Sequence, residues 1–317
     1  HERLVGSEMC IRDRYKDGRI TAQELDNWTK NVLQNFVSLH KNIEENYEVD
    51  MEEQNQVARK LENESAVLLK NNGVLPIGKE KKVIIIGELA RQMRFQGGGS
   101  SHIQPTKMTN AIEAIREKGY QVTYIQGYQN EKEELGEKQL QDTIEKLKQE
   151  YRKKDCVILY FIGLTESYEG EGYDRKNLKI PQNQEELLAE IAETVGKDHI
   201  AAISFGGAPM DFSFEKNVGA ILHMYLGGQA VGESVADLIS GEVNPSGKLA
   251  ETIPFSEKDT PAWRYFAPPN DDVEYRESIF VGYRYYETFH VPVKYPFGYG
   301  LSYTSFSYSE LNVPEVY

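Results

Sequence analysis

The stretch DCVILYFIG, residues 155–163, is apolar from Cys156 to Ile162 and ends in a glycine. Because its hydrophobicity is continuous rather than alternating, it predicts a strand that is buried on both faces of a sheet. Similar apolar runs lie at 81–88, 120–127, 199–207 and 218–228. Helical patterns accompany them at 106–118, 133–153, 183–196 and 229–240. This alternation predicts an α/β fold in which a mostly parallel sheet is sandwiched between helices.

The chain upstream of these strands is predicted to be helical. Thr21 and Glu24 have the spacing of a capping box, and apolar residues follow at helical spacing up to residue 39. A polar linker is expected near 44–52. A second helix is predicted over 53–70, because the sequence NNGVLPI that follows contains residues that end helices.

The two ends of the chain have a different character. Residues 1–16 show neither an apolar period nor turn signals, and we interpret them as a cloning artefact or foreign sequence. After about residue 255 the chain becomes rich in proline, tyrosine and glycine, and SFSYSELNV (305–313) alternates between apolar and polar residues. This alternation predicts the first strand of a β-domain that is cut off.

Composition narrows the class of partner. The 317 residues carry a net charge of −14, which disfavours nucleic acids and anionic membranes as partners and favours a neutral ligand. No apolar stretch is long enough to span a bilayer. Cys10 and Cys156 provide neither a disulfide framework nor a set of metal ligands, so we expect a reducing compartment, the cytoplasm.

The stretch YEGEGYDRKNLKIP, residues 168–181, places Glu169 and Glu171 just after the central strand. A solvated, charged loop and a functional loop are equally compatible with this spacing. Flanking glycines would let the backbone enter a cleft, where apolar or like-charged surroundings raise the pKa of a carboxyl group, as a proton donor requires. Asp174 and Arg175 are expected to pair at the base of this loop.

The glycine run GGGSS, residues 97–101, follows the first predicted strand of the sheet. It lacks the ending of a P-loop and the spacing of a dinucleotide fingerprint, so close approach of the backbone to a sugar or another domain is favoured over phosphate binding. His102 has no second ligand at metal-binding spacing, which favours a hydrogen-bonding role, or a plain surface histidine, over a metal site.

Five motifs together carry a family resemblance: ESAVLLKNNGVLPI, GELARQMRFQGGGSSHIQP, GLTESYEGEGYDRKNLKIPQNQ, NPSGKLAETIP and VGYRYYETFHVPVKYPFGYGLSYTSFSY. The order of these motifs resembles the α/β sandwich domain of family 3 glycoside hydrolases, and most closely the bacterial β-glucosidases. The resemblance implies that 17–52 is the tail helix of an upstream (β/α)8 barrel with its linker. It also implies that 53–302 is the sandwich and 303–317 the start of a fibronectin III-like domain.

In this family the barrel supplies an aspartate nucleophile, and a sandwich loop supplies the general acid/base. The resemblance implies that Glu171 is the acid/base, with Glu169 as its rival, and that Arg94, Gln96, Ser101 and His102 bind substrate. The sequence contains no Ser-Asp-Trp stretch like the one that carries the nucleophile, so we expect the barrel as a partner and no activity of this chain alone.

The implied reaction is hydrolysis of terminal β-D-glucosyl residues from a β-glucoside or small oligosaccharide, and it needs neither a metal nor an organic cofactor. A β-xylosidase of the same family and a free-standing, doubly wound sugar-binding module remain alternatives. A β-N-acetylglucosaminidase, whose acid/base lies on the barrel, is disfavoured. The oligomeric state is left open, and a homo-oligomer is among the expected assemblies.

Overall fold

A computed structural model describes residues 10–43, 47–266 and 273–313 of the chain. Parts of four predictions lie outside the described residues: 1–9 of the foreign segment, 44–46 of the linker, 267–272 of the sandwich domain and 314–317 of the C-terminal β-domain. The chain divides into two compact units, His1–Asp50 and Met51–Tyr317.

Most of the described residues of the first unit are helical. Residues 10–16 form α1, and α2 spans Ala22–Lys41. The predicted capping box is present, because the Thr21 hydroxyl accepts from Glu24 N and the Glu24 carboxylate accepts from Thr21 N. Helix α2 contains no buried residue, and its apolar side chains, such as Phe36 at 68% exposure, face solvent.

The second unit contains a six-stranded sheet in the order β1-β6-β5-β4-β2-β3. Its strands are β1 (Val67–Asn71), β2 (Lys82–Ile86), β3 (Gln121–Ile125), β4 (Cys156–Gly163), β5 (Ile200–Phe205) and β6 (Ala220–His223). All neighbours are parallel except β1, which runs antiparallel to β6 at one edge. A two-stranded sheet joins β7 (Ile253–Pro254) to β8 (Val293–Tyr295).

The helices of this unit cover both faces of the sheet. They are α3 (Met51–Ser65), α4 (Ala111–Glu117), α5 (Glu137–Glu150), α6 (Gln182–Val195), α7 (Val231–Ser240) and the short α8 (Tyr283–Thr288). Helices α3 and α4 pack on α7, whereas α5 packs on α6. Because right-handed crossovers place α4 and α5 on opposite faces, the predicted α/β sandwich is confirmed.

The central strand explains why the sequence selects this fold. Every residue of β4 is buried, and β4 pairs with β2 on one side and β5 on the other. At its end Gly163 has φ of 151°, and a Cβ there would lie 2.1 Å from the Phe205 carbonyl oxygen. A glycine is therefore required where the chain leaves β4 for the loop that follows.

The strand order creates a crevice above the centre of the sheet. From β2 the chain moves outward to β3 and then returns to the other side of β2 to form β4. The loops after β2 and β4 therefore diverge, and such switch points at the carboxyl edge of a parallel sheet are where ligands bind.

Two predicted elements differ from the structure. The predicted helix over 53–70 ends at Ser65, because Val67, Leu68 and Leu69 form the buried edge strand β1 instead. The predicted strand over 305–313 has no strand geometry in the described residues. Its side chains are exposed, with Tyr308 at 93%, and a strand requires a hydrogen-bonded neighbour to persist.

Candidate active site

Four loops at the carboxyl edge of the sheet line an open, shallow cavity of about 300 Å³. They follow β2, β4, β5 and β6, and the crevice between β2 and β4 lies at the centre of the group. The lining residues are Arg94, Gly97, Gly98, Ser100, Ser101, Glu169, Gly170, Glu171, Gly207 and Leu226. Both candidate glutamates therefore line one cavity.

Glu171 lies at the tip of a tight turn. Gly170 and Tyr173 pair as an antiparallel bridge, which leaves Glu171 and Gly172 as the two residues at the end of the loop. A Cβ on Gly170 would lie 2.8 Å from the Tyr173 ring, so a larger residue there would require this ring to move. No described heavy atom lies within 4 Å of a Cβ built on Gly172.

The carboxylate of Glu171 contacts the glycine run across the crevice. Ser100 N donates to Glu171 Oε2 at 2.9 Å. The Glu171 side chain is otherwise exposed, and hydrogen bonds from the side chain and backbone of Ser100 lower its pKa. In this arrangement burial is too slight to oppose the hydrogen bonds, so the expected rise in pKa stays a prediction for a Glu171 side chain buried in a cleft.

Glu169 has a different environment, although it is only two residues away. Gly207 N donates to both carboxylate oxygens, at 2.9 Å to Oε1 and 3.1 Å to Oε2. The Arg94 guanidinium lies 3.5 Å from Glu169 Oε1, and the Glu169 side chain is 14% exposed. Glu169 is thus held by groups from two other loops.

Arg94 lies beneath the loop rather than open to solvent. Its side chain is 4% exposed, and it donates to Glu166 Oε1 and to the Glu169 carbonyl oxygen, both at 3.3 Å. His102 Nε2 lies 2.8 Å from the same Glu166 oxygen. Arg94 and His102 therefore converge on Glu166, a residue that the sequence interpretation overlooked.

Gln96 and Ser101 make local contacts. The Gln96 amide donates to the Ile103 carbonyl oxygen at 3.2 Å and accepts from Ile103 N at 2.9 Å. Ser101 Oγ donates to the Gly98 carbonyl oxygen at 3.3 Å. Ser101 lines the cavity, whereas Gln96 and His102 stand outside its lining. The substrate-binding roles of Arg94, Gln96, Ser101 and His102 stay predictions.

The glycine run approaches the loop of its own domain. A Cβ on Gly98 would lie 3.3 Å from the Glu169 carbonyl oxygen, and a Cβ on Gly99, where φ is 80°, would lie 3.0 Å from the Glu171 side chain. The run thus permits close approach, as predicted, but its neighbour in this structure is the glutamate loop.

The predicted pair between Asp174 and Arg175 does not form in the described residues. Arg175 instead donates to the Pro209 carbonyl oxygen, because the loop after β5 lies against it. Its charge also acts on Glu251, which lies in the motif NPSGKLAETIP. Burial raises the pKa of Glu251 to about 7, and Arg175 partly offsets this rise.

The residues that sequence reasoning missed, Glu166, Gly207 and Leu226, come from three loops. A signal existed for Glu166, because Glu166, Glu169 and Glu171 form an acidic series after one strand. Gly207 and Leu226 gave no such signal, since their contact with this loop depends on the order of the strands.

Residues 10–43, 47–266 and 273–313 contain no group of three His, Cys, Asp or Glu side chains placed to hold a metal ion. No helix in these ranges has both the length and the apolar character to cross a membrane.

Comparison with known proteins gives consistent matches. Residues 66–303 match the family model described as the glycosyl hydrolase family 3 C-terminal domain. Thermostable beta-glucosidase B of Acetivibrio thermocellus is 38% identical over 307 residues, covering 96% of this chain and 40% of that protein. An exo-alpha-(1->6)-L-arabinopyranosidase of Bifidobacterium breve is 37% identical over 303 residues, covering 92% of this chain and 39% of that protein.

A solved structure agrees over nearly the same span. The crystal structure of a Bifidobacterium adolescentis GH3 beta-glucosidase aligns with a TM-score of 0.85 and 37% identity, covering 94% of this chain and 44% of that chain. The chain thus spans about 40% of the length of the relatives that it matches.

Proposed function

Because the chain belongs to glycosyl hydrolase family 3 and contains its C-terminal domain, we propose that it is the acid/base-bearing part of a retaining β-glucosidase. In the full-length protein a (β/α)8 barrel would supply the nucleophile and the pocket for the glucosyl residue. The Acetivibrio relative, a beta-glucosidase by name and longer than this chain, supports both parts of the proposal.

The observation that carries the proposal is the contrast between the two glutamates. Glu169 is held by Gly207 and Arg94, whereas Glu171 projects from a two-residue tip with one described backbone donor, Ser100. An acid/base must reach a glycosidic oxygen held by another domain, and an exposed side chain at the tip is better placed to do so than one held by other loops of its own domain. We therefore assign this role to Glu171.

The mechanism uses two carboxyl groups about 5 to 5.5 Å apart, as retaining glycosidases require. The barrel carboxylate attacks the anomeric carbon while protonated Glu171 gives its proton to the departing oxygen. In the second step Glu171 removes a proton from the water that hydrolyses the glycosyl-enzyme bond. The residues of this chain hold and move the proton, and the covalent intermediate forms on the barrel.

The lowered pKa of Glu171 in this chain has a consequence for that mechanism. A donor near neutral pH must have its pKa raised, so docking of the barrel must remove Glu171 from Ser100 and place it near the like-charged nucleophile. Loss of the hydrogen bond from Ser100 and burial beside a second carboxyl group would both raise the pKa of Glu171.

A second candidate substrate comes from the Bifidobacterium breve relative. Its name is that of an arabinopyranosidase, and its identity of 37% is close to the 38% of the glucosidase. Since the barrel would hold the sugar that is cleaved, this domain is compatible with either glycone and with the β-xyloside considered above. Comparing the kcat/KM of the full-length enzyme on the three aryl glycosides would decide between them.

The compartment and assembly stay proposals. Cys10 and Cys156 are both free thiols, which supports the cytoplasm as the compartment. Neither a homo-oligomer nor a nucleic acid or membrane partner is required by the proposed chemistry.

The experiment that tests the assignment compares Glu171→Ala and Glu169→Ala in the full-length enzyme. Azide can replace a lost acid/base by attacking the glycosyl-enzyme without base assistance. We expect azide to restore turnover of an activated aryl glucoside by Glu171→Ala only, with a glucosyl azide as product. Rescue confined to Glu169→Ala would overturn the assignment.

A further inference from the structure

Glu169 joins three separate segments of the chain at one point. It belongs to the loop after β4, it accepts from Gly207 in the loop after β5, and it faces Arg94 from the segment after β2. Its carbonyl oxygen accepts a further hydrogen bond from Arg94. Both the side chain and the backbone of this residue are therefore fixed.

We propose that Glu169 is a positioning residue whose carboxylate anchors the base of the 166–173 loop, so that Glu171 at its tip reaches a defined point in the cavity. This inference rests on the proposed function for the role of Glu171. The anchoring itself is a property of this chain alone.

The chemistry of the anchor requires a carboxylate. Arg94 is 4% exposed, and a buried guanidinium is costly unless anionic partners compensate its charge. Of its two carboxylate partners, Glu166 is 56% exposed and Glu169 is 14% exposed, so Glu169 is the less hydrated of the two. A glutamine could still accept from Gly207 N but would leave Arg94 with one carboxylate.

The anchor point on the β5 loop lies beside Leu226. A Cβ on Gly207 would lie 2.6 Å from Leu226 Cδ1 and 3.5 Å from Glu169 Oε2. A side chain at this position would therefore displace the end of Leu226, whereas its distance to the carboxylate would be an ordinary contact.

The tip of the loop is held much less firmly than its base. Glu171 is exposed, and Gly172 has no close neighbour among the described atoms. The described contacts that hold the turn are the bridge between Gly170 and Tyr173, the hydrogen bond from the Tyr173 hydroxyl to the Glu166 carbonyl oxygen and the hydrogen bond from Ser100 N to Glu171. A fixed base with a movable tip suits an acid/base that must leave Ser100 and enter a second domain. Small displacements of a catalytic group lower the rate strongly, by about 100-fold per ångström.

The first test uses the 317-residue chain itself and does not depend on activity. Amide hydrogen exchange is measured for wild type, Glu169→Ala, Glu169→Gln and the control Glu193→Ala, an exposed carboxylate on α6. We expect residues 166–175 to exchange at least about 10-fold faster in Glu169→Ala, to be intermediate in Glu169→Gln and to be unchanged in the control. Unchanged exchange in all variants overturns the anchor, and Glu169→Gln keeps this test usable if the alanine variant does not fold.

The second test uses the full-length enzyme. We expect Glu169→Ala to lower kcat by about 10- to 100-fold with KM changed less than about 3-fold, because a misplaced acid slows chemistry more than binding. The kcat of Glu169→Gln should lie between those of Glu169→Ala and wild type. Azide should not rescue either variant, and the alkaline limb of the pH profile, which reports the acid, should persist in both.

The two tests separate the two claims. Azide rescue of Glu169→Ala, or loss of its alkaline limb, would overturn the positioning role by making Glu169 the acid/base itself. If the full-length protein hydrolyses no glycoside, the proposed function fails, while the exchange measurement still decides whether Glu169 anchors the loop.

Discussion

A buried carboxyl group on α3 shows how strongly a single residue can depend on its surroundings. Glu62 on α3 is 5% exposed, and its Oε1 atom has no hydrogen-bond partner among the described residues. A Cβ on Gly227 would come within 2.2 Å of this carboxyl group. Burial raises the pKa of Glu62 to about 8, so the folded protein holds it neutral at pH 7.

This residue makes stability depend on pH. The unfolded chain releases the Glu62 proton near its ordinary pKa of about 4.3, whereas the folded state keeps it up to about pH 8. The free energy of unfolding therefore falls as pH rises through that window. We expect Glu62→Gln, which has no proton to lose, to reduce the fall between pH 5 and pH 8 by about 1–3 kcal/mol, measured by urea unfolding.

The matched control for Glu62 is Glu64→Gln on the same helix, because the Glu64 side chain is 61% exposed. Its stability should change with pH as that of wild type does. Identical pH dependence in wild type and Glu62→Gln would show that the Glu62 carboxyl group is ionised in the folded state.

At the scale of elements, the central strands of the sheet were predicted well because each is marked by a continuous run of apolar residues within its own sequence. Strand β4 is apolar throughout, and the structure buries all of it. Strand β1 was mistaken for the end of a helix, since Val67, Leu68 and Leu69 are compatible with either element and only pairing with β6 makes them a strand. The hydrogen bond between Glu169 and Gly207 could not be predicted from the sequence either, because it depends on the order of the strands in the sheet.

The end of β4 gives a prediction about stability. Gly163→Ala would place a Cβ 2.1 Å from the Phe205 carbonyl oxygen at a φ of 151°, and neither backbone can move without breaking the pairing of β4 with β5. We expect a loss of at least about 3 kcal/mol in the free energy of unfolding. Denaturant unfolding of Gly172→Ala, where no described atom lies near the new Cβ, should stay within about 0.5 kcal/mol of wild type.

If Gly163→Ala instead unfolded at the wild-type denaturant concentration, the loop could not leave the sheet as described. The geometry of the Glu171 tip, which begins seven residues after Gly163 with Gly170, would then need revision.

At the scale of the whole molecule, the unit Met51–Tyr317 contains a core of its own around the six-stranded sheet. We therefore expect residues 51–317, expressed without 1–50, to unfold in one cooperative transition by circular dichroism. A non-cooperative transition would indicate that this core is incomplete by itself.

We propose that the nucleophile lies on a barrel and the acid/base on this chain. We therefore predict that the 317-residue chain does not hydrolyse an aryl β-glucoside, because the sequence contains no Ser-Asp-Trp stretch like that of the family's nucleophile. The full-length enzyme assayed at equal concentration is the positive control. Turnover by the chain alone would contradict the assignment of the nucleophile to a barrel.

The most direct measurement of the central claim is the dependence of kcat/KM on the leaving group in full-length Glu171→Ala. A lost general acid matters most for leaving groups that need protonation. Glucosides of weakly acidic phenols should therefore lose about 100-fold or more in kcat/KM, while a dinitrophenyl glucoside should lose much less. An equal loss for all leaving groups would contradict the assignment of Glu171 as the proton donor.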